Sequence, residues 1–242
     1  GDHLLDTHTH ILWNIDDGSK NQCMSLQMLE IAARSGTKAI FATPHVIERA
    51  NKPSWEEIKE KTQQLRQLCA EAQIDIMLYP GAEVQMNWEL LPELGAAGAY
   101  CLNGGRYLLV ELPAAEIPAY ADEFWYGLEL KGITPILAHP ERYQQLRENP
   151  DLLLLWRRRG MLMQCNSGSF TGMFGSSVCE NAKVLLANGL VDLLGSDGHR
   201  SEGRNTDMSR AAAVIRQLAG EEVLRQMTET NPQAILKNQE TE

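Results

Sequence analysis

Leu4-Leu5-Asp6-Thr7-His8-Thr9-His10 is a short apolar run that ends in two histidines one residue apart. Side chains alternate along a strand, so His8 and His10 would share a face and could clasp one ion. The pattern then recurs. Lys38–Thr43 runs into His45, Asp75–Pro80 into Glu83, and Tyr107–Leu112 carries Glu111. Thr134–Ala138 runs into His139, Met161–Cys165 into Asn166, and Val191–Gly195 into Asp197 and His199. Six of these seven strand ends therefore carry His, Asp or Glu, and five of the six histidines lie at them. His3 is left over and reads as an exposed residue near the N-terminus.

Helix patterns lie between the strands: Gln22–Arg34, Trp55–Ala72, Tyr120–Lys131, Pro150–Arg159, Ser177–Asn188 and Asp207–Leu218. Ser54 and Glu57 form a capping-box pair. Gly36, Gly132, Gly160 and Gly189 follow helix patterns as C-terminal stops. Strands alternating with helices imply a parallel sheet with right-handed crossovers. Seven such units fall one short of a TIM barrel, in which all strand C-termini converge on one functional rim. Residues far apart in sequence would meet there. Gln85–Gly105 breaks the alternation and reads as a helix and loop inserted at the rim.

The 242 residues fit a single domain, 1–242, with no linker or repeat. The net charge of −10 argues against a nucleic-acid footprint. It does not argue against phosphate, because bound metals invert the local field. The five cysteines form no C-x-x-C pair and read as free thiols in a reducing, cytoplasmic compartment. With no signal peptide and no long apolar run, membrane insertion is not expected. Gly1 reads as a remnant without function. Cysteine-phosphatase chemistry is excluded, since none of the five cysteines has an arginine six positions on, as C-x5-R requires.

Glu111 lies within Leu108-Leu109-Val110-Glu111-Leu112, where a buried carboxylate needs a partner such as a metal or an arginine. Asp6 is either an outer acceptor that orients a ligand or a local turn cap, and Asp16-Asp17-Gly18 by itself reads as a turn. Arg142 follows His139, opening a helix, and Arg200 and Arg204 lie in the loop after His199. These arginines could clamp an anion; the alternatives are a surface ion pair of Arg142 with Glu141 or Glu148, and free loop arginines. A donor set of nitrogen and oxygen without sulfur suits Mn²⁺, Fe²⁺ or Zn²⁺, and its size suits two or three ions.

His8-Thr9-His10, Ala42-Thr43-Pro44-His45, Pro80-Gly81-Ala82-Glu83, Glu111, Ala138-His139-Pro140-Glu141-Arg142 and Ser196-Asp197-Gly198-His199 together resemble the PHP (polymerase and histidinol phosphatase) superfamily. More narrowly they resemble its bacterial branch of manganese-dependent protein-tyrosine phosphatases linked to capsular and exopolysaccharide synthesis. Asp16-Asp17-Gly18, Leu130-Lys131-Gly132 and Asn166-Ser167-Gly168-Ser169 are similar too. The resemblance implies an α/β fold, a distorted (β/α)7 TIM-like barrel. It implies one metal at His8, His10, Glu83 and Asp197, a second at Glu83, Glu111 and His139, and a third at Asp17, His45 and His199. Manganese would come first, with Fe²⁺ or Zn²⁺ next. Arg142 and Arg204 match the phosphate-binding arginines, and His45 or His199 could supply a proton if not fully committed to metal.

The expected reaction is attack of a metal-bridging hydroxide on a phosphate monoester. The expected substrate is a phosphotyrosine protein, a bacterial tyrosine kinase or regulator of polysaccharide synthesis. Three rivals stand beside it: a small-molecule phosphatase, for example on histidinol phosphate; a metal-dependent exonuclease; and a metal-bound regulatory protein without turnover.

Overall fold

Every strand pair is parallel, as strands separated by helices require. The computed structural model describes residues 2–238 and Thr241; Gly1 lies outside the described residues. The strands are β1 (Leu4–Thr9), β2 (Thr37–Ala42), β3 (His45–Val46), β4 (Met77–Pro80), β5 (Glu83–Gln85), β6 (Tyr107–Glu111), β7 (Thr134–Ala138), β8 (Leu162–Asn166) and β9 (Leu193–Gly195). The helices are α1 (Gln22–Arg34), α2 (Trp55–Glu71), α3 (Ala121–Leu130), α4 (Gln144–Glu148), α5 (Pro150–Arg158), α6 (Ser167–Phe170), α7 (Ser176–Ala187), α8 (Ser209–Ala219), α9 (Glu221–Arg225) and α10 (Asn231–Leu236).

The expected second and third strands are each broken in two. Pro44 interrupts β2 and β3, because it has no N–H for the ladder. Gly81 interrupts β4 and β5, where a Cβ would come 2.6 Å from Leu102 Cδ2. The ladder therefore divides into β1-β2-β4 and β3-β5-β6-β7-β8-β9. Bonds across the breaks join the pieces, Thr43 N to Thr9 O at 2.8 Å and Glu83 N to Pro44 O at 2.9 Å. Asp197 N to His8 O (2.7 Å) and His10 N to Gly198 O (2.9 Å) tie the chain beyond β9 to β1. The result is a curled, distorted parallel α/β barrel built from seven strand lines.

The distortion has a local cause. β4 does not pair with β6, and a one-turn 3₁₀ helix, Leu102–Gly104, packs against both. It belongs to the irregular segment after β5, which holds three 3₁₀ stretches rather than the single helix and loop expected for Gln85–Gly105. Leu102 joins Phe41, Leu109, Ile136 and Leu193 in one buried cluster, which Ile235 of α10 also enters. Leu108, Val110, Leu137 and Leu194, the alternating positions, belong to the larger cluster shared with the helices.

Helix ends follow local chemistry. Ser54 Oγ accepts from Glu57 N at 3.1 Å while Glu57 Oε2 accepts from Ser54 N at 3.2 Å, the reciprocal capping box. Gly132 and Gly160, at φ +73° and +99°, take the left-handed stop that other residues resist.

Candidate metal centre

Barrel geometry delivers the expected side chains to one rim. β1 carries His8 and His10 there by way of a bulge. Between Asp6 and Thr9 its register against β2 slips, Asp6 facing Ile40 and Thr9 facing Ala42. Asp6 Oδ1 secures the bulge, accepting from His8 N at 3.1 Å and from Ser196 N at 2.9 Å. Of the two readings of Asp6, the backbone one holds: it grips two main-chain N–H groups and no imidazole. Gly195 permits the close approach, since a Cβ there would lie 2.5 Å from His8 Cβ.

Four ligand-type atoms form a cage with five of its six edges at 3.1–3.2 Å. His8 Nε2 lies 3.2 Å from His10 Nε2, 3.1 Å from Glu83 Oε1 and 3.2 Å from Asp197 Oδ1. His10 Nε2 lies 3.1 Å from each of the same two oxygens. The centre of a tetrahedron with such edges is about 1.9 Å from every corner, close to Zn–N and Zn–O bond lengths. Asp197 Oδ1 and Glu83 Oε2 are buried and make no well-formed hydrogen bond, facing only imidazole nitrogens at 3.1–3.2 Å. Buried anionic oxygens need positive charge beside them, which a metal ion held by these same nitrogens would supply. The residues present therefore fit a divalent metal.

Two further groups adjoin the cage. His45, Glu83 and Glu111 bring ligand atoms together, with His45 Nδ1 3.1 Å from Glu111 Oε1. His139 Nε2 stands 3.2 Å from Glu83 Oε2 and 3.8 Å from Glu111 Oε2. The other group is His10, Asp17, His45 and His199, where the Nε2 atoms of His45 and His199 each approach Asp17 Oδ1 at 3.5 Å. The side chain of Asp17 is 68% exposed against 1% for Glu83, so Asp17 would be the outermost of the nine candidate ligands in contact with solvent. Two of the nine, His139 and Asp197, sit at φ +39° and +51°, in the left-handed region. Non-glycine residues persist there only where surrounding contacts hold them, and such strain clusters at functional sites.

Electrostatics follow from burial and crowding. Burial alone would lower His10, but the Asp16 carboxylate 2.8 Å from its Nδ1 raises it well above the ordinary imidazole value. Burial alone would raise Glu83 and Asp197, but neighbouring imidazoles hold both well below the usual carboxylate range. Glu111 is pushed up by burial and by the charge of Glu83. His199 is pushed down by burial and by the charge of His10. Metal ions would replace these imidazole protons as the positive charges.

Asp16 has a role that the turn reading missed. Its Oδ2 also accepts from His45 N at 3.0 Å and its Oδ1 from Gly18 N at 2.8 Å. It thus orients one candidate ligand by the ring and another by the backbone. Gly18 is required beside it, since a Cβ would lie 2.2 Å from His10 O.

The arginines separate by partner. Arg204 donates to Asp197 Oδ2 at 2.8 Å, and Arg142 stands 3.8 Å from the same oxygen. Arg142 ends the 3₁₀ turn Pro140–Arg142 instead of opening a helix. Its suggested partner Glu141 is fully buried, accepting from Asn166 N at 2.9 Å and Ser169 Oγ at 2.6 Å. Arg200 is no clamp: it donates to the carbonyls of Asp17, Gly18 and His199 at 2.5–2.8 Å and ties two loops together. Asp17, His45, Glu111, His139, Arg142 and Arg204 all face a cleft of about 670 Å³. His3 is exposed, as expected.

Fold and site together define a PHP-type barrel, a parallel α/β fold whose rim gathers a His, Asp and Glu cluster that fits divalent metal. The family described as "Capsular polysaccharide synthesis, CpsB/CapC" matches residues 4–237. The chain belongs to that family. Tyrosine-protein phosphatase YwqE of Bacillus subtilis is 34% identical over 236 residues, 98% of this chain and 92% of that protein. Tyrosine-protein phosphatase CpsB of Streptococcus pneumoniae is 27% identical, over 98% of this chain and 99% of its own. A crystal structure from work on YwqE and CpsB, described there as unique metal-dependent tyrosine phosphatases, superposes with a TM-score of 0.92 at 33% identity, covering 98% of this chain and 95% of that one. A histidinol phosphate phosphatase from Lactococcus lactis, 16% identical, shares the fold with a TM-score of 0.60 over 91% of this chain and 95% of that chain.

Proposed function

We propose that this chain is a metal-dependent protein-tyrosine phosphatase of capsular or exopolysaccharide synthesis, its substrate a phosphotyrosine protein such as a cytoplasmic tyrosine kinase. One observation carries the reading in the site itself. Arg204 and Arg142 converge on the outer oxygen of Asp197, whose inner oxygen belongs to the four-atom cage. Two arginines suited to clamp an anion thus adjoin the proposed metal site.

The ligand sets are proposed as His8, His10, Glu83 and Asp197 for one ion, Glu83, Glu111 and His139 for a second, and Asp17, His45 and His199 for a third. His45 and His10 adjoin the second and third groups closely enough to share them. Manganese is the proposed metal. When bound, the ions would supply a water of lowered pKa and neutralise phosphoryl charge. Arg142 and Arg204 hold the ester oxygens, each by two N–H groups at fixed angles, and stabilise charge as it grows. His199 Nδ1 is 2.7 Å from Asp197 O and His45 Nδ1 faces Glu111, which favours ligand over proton donor for both. A phenol leaving group, with a pKa near 10, makes little demand for a strong acid.

The test is a comparison on the manganese-reconstituted protein of matched phosphotyrosine and phosphoserine peptides, histidinol phosphate and single-stranded DNA. Preference for phosphotyrosine is expected. Faster turnover of histidinol phosphate would make it a small-molecule phosphatase, and cleavage of DNA a nuclease.

A further inference from the structure

Phe174 touches both clamp arginines. The Arg142 guanidinium carbon lies 4.1 Å from the Phe174 ring centroid and that of Arg204 lies 5.2 Å away. Phe174 comes from the loop between α6 and α7, distant in sequence from either arginine. The loop is seated with little slack. At Gly168, in α6, an added Cβ would lie 2.9 Å from Met173 Sδ and 3.3 Å from Phe174 Cε2. Gly172 and Gly175 flank the pair at φ +86° and +96°. Beneath them, buried Glu141 binds Asn166 N and Ser169 Oγ and so fixes α6 to the turn that carries Arg142.

We propose that Phe174 is a positioning residue that sets the orientation of Arg142 and Arg204 for phosphate. The inference rests on the reading of those arginines as phosphate ligands. A guanidinium has an apolar face and donors along its edge. Stacking on an aromatic ring uses the face and leaves the edge free for two-point contact with an anion. One ring shared by two arginines also places their charges side by side, both near Asp197 Oδ2. A phosphate bridging both would add the second anion that two guanidiniums can hold. Arg142 and Arg204 line the cleft and Phe174 stacks behind them, so the role assigned to it runs through the arginines.

Three variants test the proposal on the metal-loaded protein: Phe174→Leu, which keeps apolar bulk without a ring; Phe174→Tyr, which keeps the ring; and Gly168→Ala, which disturbs the seat. Binding of inorganic phosphate is measured by calorimetry beside kcat and KM on a phosphotyrosine peptide, metal content and melting temperature. Phe174→Leu should weaken phosphate binding and lower kcat/KM by about tenfold, the scale of one partly desolvated cation–π contact. Phe174→Tyr should restore both, Gly168→Ala should show a smaller loss, and metal content should not move. If Phe174→Leu binds phosphate as the parent does, or if Phe174→Tyr is no better than Phe174→Leu, the proposal is wrong. Phosphate binding separates it from the functional reading. Ring-dependent binding without phosphotyrosine turnover would overturn the activity and leave the positioning role standing.

Discussion

Arg204 donates to Asp197 Oδ2 at 2.8 Å, the oxygen opposite the one that approaches His8 and His10. A single carboxylate thus joins the cage to the proposed anion clamp, and the two arginines become unequal. Arg142 stands 3.8 Å from that oxygen and contributes little to holding it. Arg142→Ala and Arg204→Ala should each lower phosphate-ester turnover on the order of 10²-fold, the scale of losing one transition-state donor. Arg204→Ala should in addition weaken metal binding by roughly tenfold, as removal of an outer partner of a ligand does. Arg142→Ala should leave metal binding unchanged. Metal titrations run beside rate measurements decide it, and equal metal affinities in the two variants would refute the asymmetry.

Asp16 fixes His10 through Nδ1 at 2.8 Å and so presents Nε2 to the cage. Asp16→Asn keeps the shape and removes the charge that polarises the ring. Metal affinity should fall by about tenfold or more, with turnover largely recovered at saturating metal. An unchanged dissociation constant in a metal titration would leave Asp16 as turn chemistry alone.

Burial raises the Asp6 carboxyl from its ordinary 3.8 to about 6, and its hydrogen bonds to Ser196 and His8 only partly oppose this. The folded protein therefore binds this proton more tightly than the unfolded chain does. The contribution of Asp6 to stability is greatest below the unfolded value and declines as pH rises through the folded one. Near neutrality the ionised carboxylate costs about 3 kcal/mol. Asn at this position keeps an acceptor for the two N–H groups and never ionises. Relative to the parent, metal-free Asp6→Asn should gain about 2 kcal/mol of stability between pH ~4 and pH ~7. Urea unfolding at the two pH values measures the gain, and parallel shifts would contradict it.

The ring of ligand-type residues was legible because its residue types are scarce and its spacing follows the strands. His8, His10, His45, Glu83, Glu111, His139, Asp197 and His199 could be collected from strand ends before any fold was known, and the structure gathers them around one rim. Asp17 is legible only through resemblance, since Asp-Asp-Gly by itself reads as a turn. Asp16 and Phe174 left no comparable signal. What distinguishes Asp16 from Asp17 is which carboxylate turns inward, and what distinguishes Phe174 is a contact made across the fold. The six helix patterns match helices of the structure to within about two residues at either end, because periodicity and stops act locally. The breaks at Pro44 and Gly81 and the bulge in β1 depend on pairing between distant strands, which a one-dimensional pattern does not contain. Proline and glycine at the two breaks were nonetheless the local cue.

A rim that works as a metal-dependent phosphatase site must turn over a phosphotyrosine peptide only with its metal, and turnover before and after metal removal measures this. The protein is stripped with chelator, its metal content is checked, and Mn²⁺, Zn²⁺ or Mg²⁺ is restored in turn. Activity should fall to background in the stripped protein and return with metal, most fully with Mn²⁺. Hydrolysis at the parent rate by protein shown to be metal-free would contradict the account.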